Sequence, residues 1–126
     1  METTSATYDP TNEAPHESRV LVREFLVDRG ATDLSFAGEL IVTELVANVV
    51  RHAHSPIEVD LSWDDEMFRV EVRDGSSILP AVVELANEDG GYGLRIVEAL
   101  SQDWGVRQLD EGKAVWCTLT RGSAAP

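Results

Sequence analysis

The sequence predicts an α+β fold, a two-layer sandwich in which about three helices cover one face of a β-sheet. Residues 15–56 show helical periodicity with start and stop signals, whereas residues 57–72 alternate apolar and polar side chains. After a glycine-containing stretch, residues 93–120 repeat this order, with one helical pattern followed by two strand patterns. Strands that alternate in this way bury one face only, so a single helical layer over that face completes the core. We expect the sheet to be mixed and mostly antiparallel.

The composition bounds the class of protein. The 126 residues suffice for one domain, and 23 acidic residues against 10 basic ones give a formal net charge of −13. Such an excess of acid argues against direct nucleic-acid binding and is compatible with a basic protein partner. The first ten residues lack the pattern of a signal peptide, and the longest apolar stretch is too short to span a bilayer. With a single cysteine, Cys117, these features predict a cytoplasmic protein without membrane contact.

Cap signals bound the first two helices. The first should run from about Pro15 to Arg29, because proline suits a first helical turn and Gly30 suits a C-terminal cap. Thr32 or Asp33 should cap the second helix. That helix should end near Ser55-Pro56, because a proline disfavours helical backbone at the residue before it.

The rest of the chain is predicted to be strands around one further helix. Alternating runs on either side of an acidic turn at residues 64–66 predict an antiparallel hairpin. A short helix from Ala81 to Ala86 fits within the following loop, and the third main helix should run from Gly93 to Asp103. Two last strands should follow, Trp104–Leu109 and Lys113–Thr120.

This organisation divides the chain into three parts. They are a lead-in over residues 1–14, loosely ordered or forming an edge strand, a domain over residues 15–120, and a C-terminal tail over residues 121–126.

The second helix carries polar side chains where a central helix should be apolar. Glu44 and Asn48 interrupt an apolar run and, four residues apart, lie on one helical face. An amide oxygen is a suitable ligand for Mg²⁺, which takes few protein ligands and completes its shell with phosphates and water. Glu44, one turn away, is placed to accept a proton from an attacking hydroxyl group or water.

Two further polar segments complete a case for a nucleotide. Asp74-Gly75-Ser76 follows a strand, and the Asp74 carboxylate can accept a hydrogen bond from the exocyclic amino group of a base. Residues 91–94, Gly-Tyr-Gly-Leu, open a helix. A glycine-rich loop that runs into a helix exposes backbone N–H groups at the positive end of a dipole, which suits phosphates.

In this order the segments resemble the GHKL superfamily of ATPases and kinases, most closely its bacterial anti-sigma-factor serine/threonine-protein kinases. The resemblance rests on Glu44-Leu-Val-Ala-Asn48-Val-Val-Arg-His-Ala, Val72-Arg-Asp74-Gly-Ser-Ser-Ile-Leu-Pro80 and Gly91-Tyr-Gly93-Leu94, and the narrower match also on Trp104-Gly-Val and Gly112-Lys-Ala-Val-Trp116. It covers roughly residues 15–120. The family's fold, an α/β sandwich with ATP between helices and sheet, agrees with the fold class that the pattern predicts.

The resemblance implies a role for each matching residue. Asn48 would coordinate Mg²⁺, and Glu44 would act as the general base or orient the nucleophile. Asp74 would bind the adenine amino group, while Gly91 and Gly93 would end a lid over ATP and cradle its phosphates. The other candidate nucleotide-binding residues are Gly75, Ser76, Tyr92 and Leu94.

The chain departs from the family pattern at three places. Many members have Asp-x-Gly-x-Gly where this chain has Asp74 followed by Gly-Ser-Ser-Ile. Many carry a threonine just after the glycine of the last hairpin, where this chain has Lys113-Ala114. The lid, residues 79–92, is short and acidic.

The resemblance implies an ATP- and Mg²⁺-binding regulator that phosphorylates an anti-sigma-factor antagonist on serine or threonine and sequesters a sigma factor. Homodimers are common in the family. A nucleotide-dependent binding module with little kinase activity is the alternative, favoured by the acidic lid and disfavoured by Glu44. A stand-alone ATPase is a third hypothesis.

Overall fold

The computed structural model describes residues 1–76 and 93–121. The α-helices and β-strands of this part are β1 (Glu2–Tyr8), α1 (Ala14–Asp28), α2 (Ser35–Asn48), β2 (Ile57–Asp64), β3 (Met67–Asp74), α3 (Gly93–Leu100), β4 (Asp103–Gln108) and β5 (Lys113–Thr120). A 3₁₀ turn, Thr32–Leu34, precedes α2, and a π-helical segment, Val49–Ala53, follows it. The short helix predicted for Ala81 to Ala86 lies outside the described residues.

The five strands form one sheet in the order β1-β2-β3-β5-β4. The described helices lie over one face of the sheet, so the predicted α+β fold class is confirmed. Every pairing among the described strands is antiparallel, so this sheet is not mixed, contrary to expectation. β1 pairs along its whole length with β2, and it forms one edge of the sheet. The skip from β3 to β5 places the chain's last strand in the interior of the sheet, where it pairs with two neighbours.

The β2–β3 hairpin is antiparallel, as predicted, and has a strained turn. Val59 pairs with Val72 and Leu61 with Val70, so the apolar residues of both strands share the buried face. The connection is the two-residue turn Asp65-Glu66, with φ angles of 51° and 67°. Two-residue hairpins favour such left-handed residues because the turn then follows the strand twist.

The core lies between this face of the sheet and α1, α2 and α3. Phe68 is fully buried, and its ring lies 5.8 Å from that of Phe25 on α1. Gly38 of α2 packs so closely that a Cβ atom there would lie 3.1 Å from the Phe68 ring. No helix among the described residues is long and apolar enough to cross a membrane.

Helix ends differ from their predicted positions where other structure takes over. At α1 the prediction holds: Gly30 has φ +67°, and the Ala31 N–H donates to the Leu26 carbonyl oxygen, a C-terminal cap of the Schellman type. At α2 neither Thr32 nor Asp33 caps the α-helix by a side-chain hydrogen bond, because these residues form the 3₁₀ turn and α2 begins at Ser35.

The third main helix is shorter than predicted. It ends at Leu100 instead of Asp103. The Gln102 N–H donates to the Thr118 carbonyl oxygen at 2.8 Å, and Asp103 already pairs with Thr118 in the sheet. The sheet ladder therefore competes for the backbone that a longer helix would need.

Cys117 lies on the buried face of β5. Its side chain is fully enclosed, and burial raises the pKa of the thiol to about 12. The thiolate form, which is the reactive one, is therefore scarce at neutral pH. Cys117 acts as a small apolar residue of the core.

Candidate functional site

The end of α2 carries the first predicted pair. Glu44 and Asn48 are both half-buried on this helix, one turn apart. The Asn48 Oδ1 atom accepts a 2.6 Å hydrogen bond from Nη2 of Arg51, an exposed residue. The amide oxygen predicted to bind a cation is thus already in contact with a cationic side chain.

The helix changes its geometry directly after Asn48. The His54 N–H donates to the carbonyl oxygen of Val49, five residues earlier, at 3.0 Å, and His54 then ends the helix with φ 51°. Turns of this wider, π-helical kind are frequent at functional sites.

The second predicted group, Asp74, lies at the end of β3 and is enclosed by protein. Its side chain is only 3% exposed. The Lys113 Nζ atom lies 3.0 Å from both carboxylate oxygens, and the Ser76 N–H donates to Oδ1 at 2.8 Å. A buried carboxylate needs such partners, because desolvation without compensation is costly.

Lys113 was not predicted to contact Asp74. A lysine is most simply expected at the surface, yet the Lys113 side chain is only 11% exposed. Two signals point to the buried position. Alternate residues of a strand face the same side of the sheet, so Lys113 faces the same side as Val115, Cys117 and Leu119, which are buried in the core. It is also the only lysine of a chain that otherwise uses arginine for its cations.

Gly112 holds Lys113 against the end of β3. Its φ angle is +105°, and a Cβ atom at this position would lie 1.9 Å from the backbone oxygen of Asp74. Only glycine fits both the conformation and the space. The β4–β5 turn therefore brings its backbone directly against Asp74, and Lys113 follows in register with it.

A hydrogen bond connects the loop after α2 to the loop after β3. The Ser55 Oγ atom accepts from the Gly75 N–H at 2.8 Å. α2 itself packs against β3 and α3. The structure therefore joins the segments that follow α2 and β3, whereas the convergence of the Asn48 and Asp74 side chains on one nucleotide stays a prediction.

The third predicted group is described only in part. Gly93 is the first residue of α3, and Leu94 is 1% exposed and belongs to the core. Gly91 and Tyr92 lie outside the described residues, so their predicted contact with phosphates is a prediction still.

A cavity of about 470 Å³ opens at the Asp74 end of the sheet. Its described lining consists of Pro56, Glu58, Arg73, Asp74, Gly75, Leu109 and Glu111. Glu44 and Asn48 are not among these residues, so this cavity alone does not contain all the predicted groups. Within residues 1–76 and 93–121 there is also no cluster of three or more His, Cys, Asp and Glu side chains suited to a metal.

Comparisons with known proteins show the family and a similar fold. The sequence profile of the histidine kinase-like ATPase domain matches residues 4–119, nearly the whole chain. No curated protein matches the sequence. One similar solved structure is the Acinetobacter baumannii histidine kinase AdeS, with 13% identity and a TM-score of 0.58, over 98% of this chain and 70% of that chain. At this identity the structural similarity concerns the fold. The match over residues 4–119 shows that the chain belongs to the histidine kinase-like ATPase domain family.

Proposed function

We propose that this protein is an ATP- and Mg²⁺-binding regulator of the anti-sigma-factor type. It transfers the γ-phosphoryl group of ATP to a serine or threonine of an antagonist protein, and it sequesters a sigma factor. The observation that carries the proposal is the family match over residues 4–119. Two polar residues support it, Asn48 at the end of α2 and Asp74 at the end of β3.

The donor groups at the end of α2 fit a magnesium nucleotide. The Asn48 amide oxygen is a hard ligand, and one protein ligand is enough for a cation that phosphates and water also coordinate. Arg51, 2.6 Å from that oxygen, supplies a positive charge suited to phosphate. Asn48 would hold Mg²⁺ through this same oxygen, and Arg51 would then be available to contact phosphate.

Phosphoryl transfer asks the protein mainly for positioning and charge stabilisation. ATP supplies the phosphoryl group. Glu44, half-buried one turn before Asn48, accepts the proton of the attacking hydroxyl group or orients that group. Arg51 offsets negative charge on the phosphates, and Asp74 orients the adenine ring of ATP.

The second candidate function is a nucleotide-dependent binding module with little kinase activity. One observation favours it. Both side chains that are predicted to bind the magnesium nucleotide already contact a cation of the protein: Arg51 contacts Asn48, and Lys113 contacts Asp74. A nucleotide has to displace these cations or bind beside them, so its affinity is lower than it would be if Asn48 and Asp74 had no partner.

Calorimetric titration tests the binding part. We expect wild-type protein to bind ATP in Mg²⁺ and to bind it more weakly in excess EDTA. Asn48→Ala should abolish this Mg²⁺ dependence, whereas Asn12→Ala, which removes an exposed amide before α1, should leave it unchanged. Equal affinity with and without Mg²⁺ in the wild type would exclude the assignment of Asn48 as a metal ligand.

Labelled ATP tests the transfer part. Wild-type protein incubated with candidate antagonist proteins should yield phosphoserine or phosphothreonine on one of them. Glu44→Gln should bind ATP about as well but transfer at least about 100-fold more slowly, as expected for loss of a general base, while Glu98→Gln, an exposed residue of α3, should transfer normally. ATP binding without transfer to any antagonist would favour the binding module.

A further inference from the structure

The Asp74–Lys113 pair has unused hydrogen-bonding capacity. Among the described residues, the ammonium group donates a hydrogen bond to Asp74 Oδ1 and lies 3.0 Å from Oδ2, which engages two of its three N–H protons. The carboxylate accepts these bonds and one more from the Ser76 N–H, and two carboxylate oxygens offer about four acceptor sites. Among the described residues, one donor on Lys113 and one acceptor on Asp74 therefore remain.

We propose that Lys113 and Asp74 together recognise the adenine base. Asp74 accepts from the exocyclic amino group, and Lys113 donates its third proton to the adjacent ring nitrogen, N1. This proposal rests on the proposed ATP binding and adds Lys113 to it as a specificity-determining residue, at a position where the chain carries no hydroxyl side chain.

The position of Lys113 favours contact with the base over contact with phosphates. Lys113 pairs in register with Asp74 across β5 and β3, and its ammonium is held within 3.0 Å of that carboxylate. The cation beside the predicted metal ligand is a different residue, Arg51 on the segment after α2. Each end of the nucleotide thus has its own cation.

Burial makes such a contact selective. The Lys113 side chain is 11% exposed and that of Asp74 is 3% exposed, so little water is available to replace a missing partner. A ligand that leaves a buried donor or acceptor unpaired is rejected more strongly than one that merely lacks an apolar contact. Guanine in the same placement presents N–H to the ammonium and a carbonyl oxygen to the carboxylate, so both contacts become repulsive.

The test compares ATP with an analogue that has CH in place of ring nitrogen N1, by calorimetric titration in Mg²⁺. Wild-type protein should bind ATP about tenfold or more tightly than this N1-deaza analogue and than GTP, as expected for a hydrogen bond to a charged donor. This comparison needs no variant, so it does not depend on the folding of a mutant.

Variants then assign the preference to Lys113. Lys113→Met should bind ATP and the N1-deaza analogue equally. Arg107→Met, which removes a cation from the opposite face of the neighbouring strand β4, should keep the wild-type ratio. Circular dichroism checks that each variant is folded, because Lys113→Met leaves a buried carboxylate without its counter-ion.

The outcomes separate this proposal from the proposed function. If wild-type protein binds ATP and the N1-deaza analogue with equal affinity, Lys113 does not contact the base, while ATP binding still stands. If Lys113→Met weakens both nucleotides by the same factor, Lys113 only balances the charge of Asp74, and the proposal is wrong. If wild-type protein binds no ATP, the proposed function itself fails.

Discussion

At the scale of single residues, two side chains predicted to meet a nucleotide are each paired with a cation of the chain itself. Arg51 donates to Asn48, and Lys113 to Asp74. The two pairs differ in exposure: Arg51 is exposed, whereas the Asp74–Lys113 pair is buried. We therefore expect the Arg51 contact to exchange readily and the Asp74–Lys113 contact to persist when a ligand binds.

Another ion pair sets a pH dependence. Arg23 Nη2 on α1 lies 2.8 Å from Oε1 of Glu39 on α2, and the Ser35 hydroxyl donates to Oε2. Burial acts to raise the pKa of Glu39, but the hydrogen bonds from Arg23 and Ser35 outweigh it, so the pKa lies below its ordinary 4.5. The folded state therefore favours the charged form.

We expect Glu39 to stabilise the protein above its unfolded-state pKa and to lose this contribution as the pH falls through the lowered folded-state pKa. Glu39→Gln should reduce the free energy of unfolding by about 0.5 kcal/mol near neutral pH, since Arg23 is half-exposed to solvent. The difference from wild type should vanish in acid. Urea titrations between about pH 7 and about pH 3 measure it, with exposed Glu24→Gln as control. A difference that grows in acid would contradict the assignment.

At the scale of elements, local pattern predicted which segments form helices and strands, but not where competing structure ends them. Alternation placed β2, β3 and β5 because period two is a property of each strand alone. The end of α3 depends on Thr118, a residue distant in sequence whose carbonyl oxygen accepts a hydrogen bond from the Gln102 N–H. The start of α2 differs from the prediction because Thr32 and Asp33, the expected cap residues, form a 3₁₀ turn instead.

The β2–β3 turn offers a stability test. Glu66 has φ 67°, a left-handed conformation that costs a residue with a side chain about 1–2 kcal/mol. Part of the gain from glycine is offset by its larger entropy in the unfolded chain. Glu66→Gly should therefore raise the free energy of unfolding by about 0.5–1 kcal/mol, measured by urea denaturation.

Glu66→Ala is the matched control, because it also removes the ion pair with Arg121 but keeps the strained backbone. It should give no stabilisation. Equal gains from the two substitutions would show that the charge, rather than the φ angle, limits this turn.

At the scale of the whole molecule, the sheet order determines the site. β5 crosses over to pair with β3 instead of taking an edge, and this places Lys113 opposite Asp74. Composition and spacing identified Glu44, Asn48 and Asp74 as polar residues in apolar surroundings, a local signal. The partner of Asp74 lies 39 residues away and depends on which strands are neighbours, which periodicity does not specify.

The net charge of −13 is also a property of the whole chain. Like charges repel more strongly in the compact state than in the unfolded one, and salt screens this repulsion. We expect the free energy of unfolding to rise between about 0.02 M and about 0.5 M NaCl, followed by urea titration. A variant with exposed Glu24 replaced by lysine should respond less. A flat or falling curve in the wild type would contradict the explanation.

The enclosed sulfur of Cys117 makes the native chain a convenient background for spectroscopic probes. A cysteine introduced at an exposed position, such as Thr3 on the edge strand or Glu98 on α3, would be the sole sulfhydryl open to maleimide or nitroxide reagents. Distances between two such labels can then report movements of the helical layer relative to the sheet without prior removal of the natural cysteine.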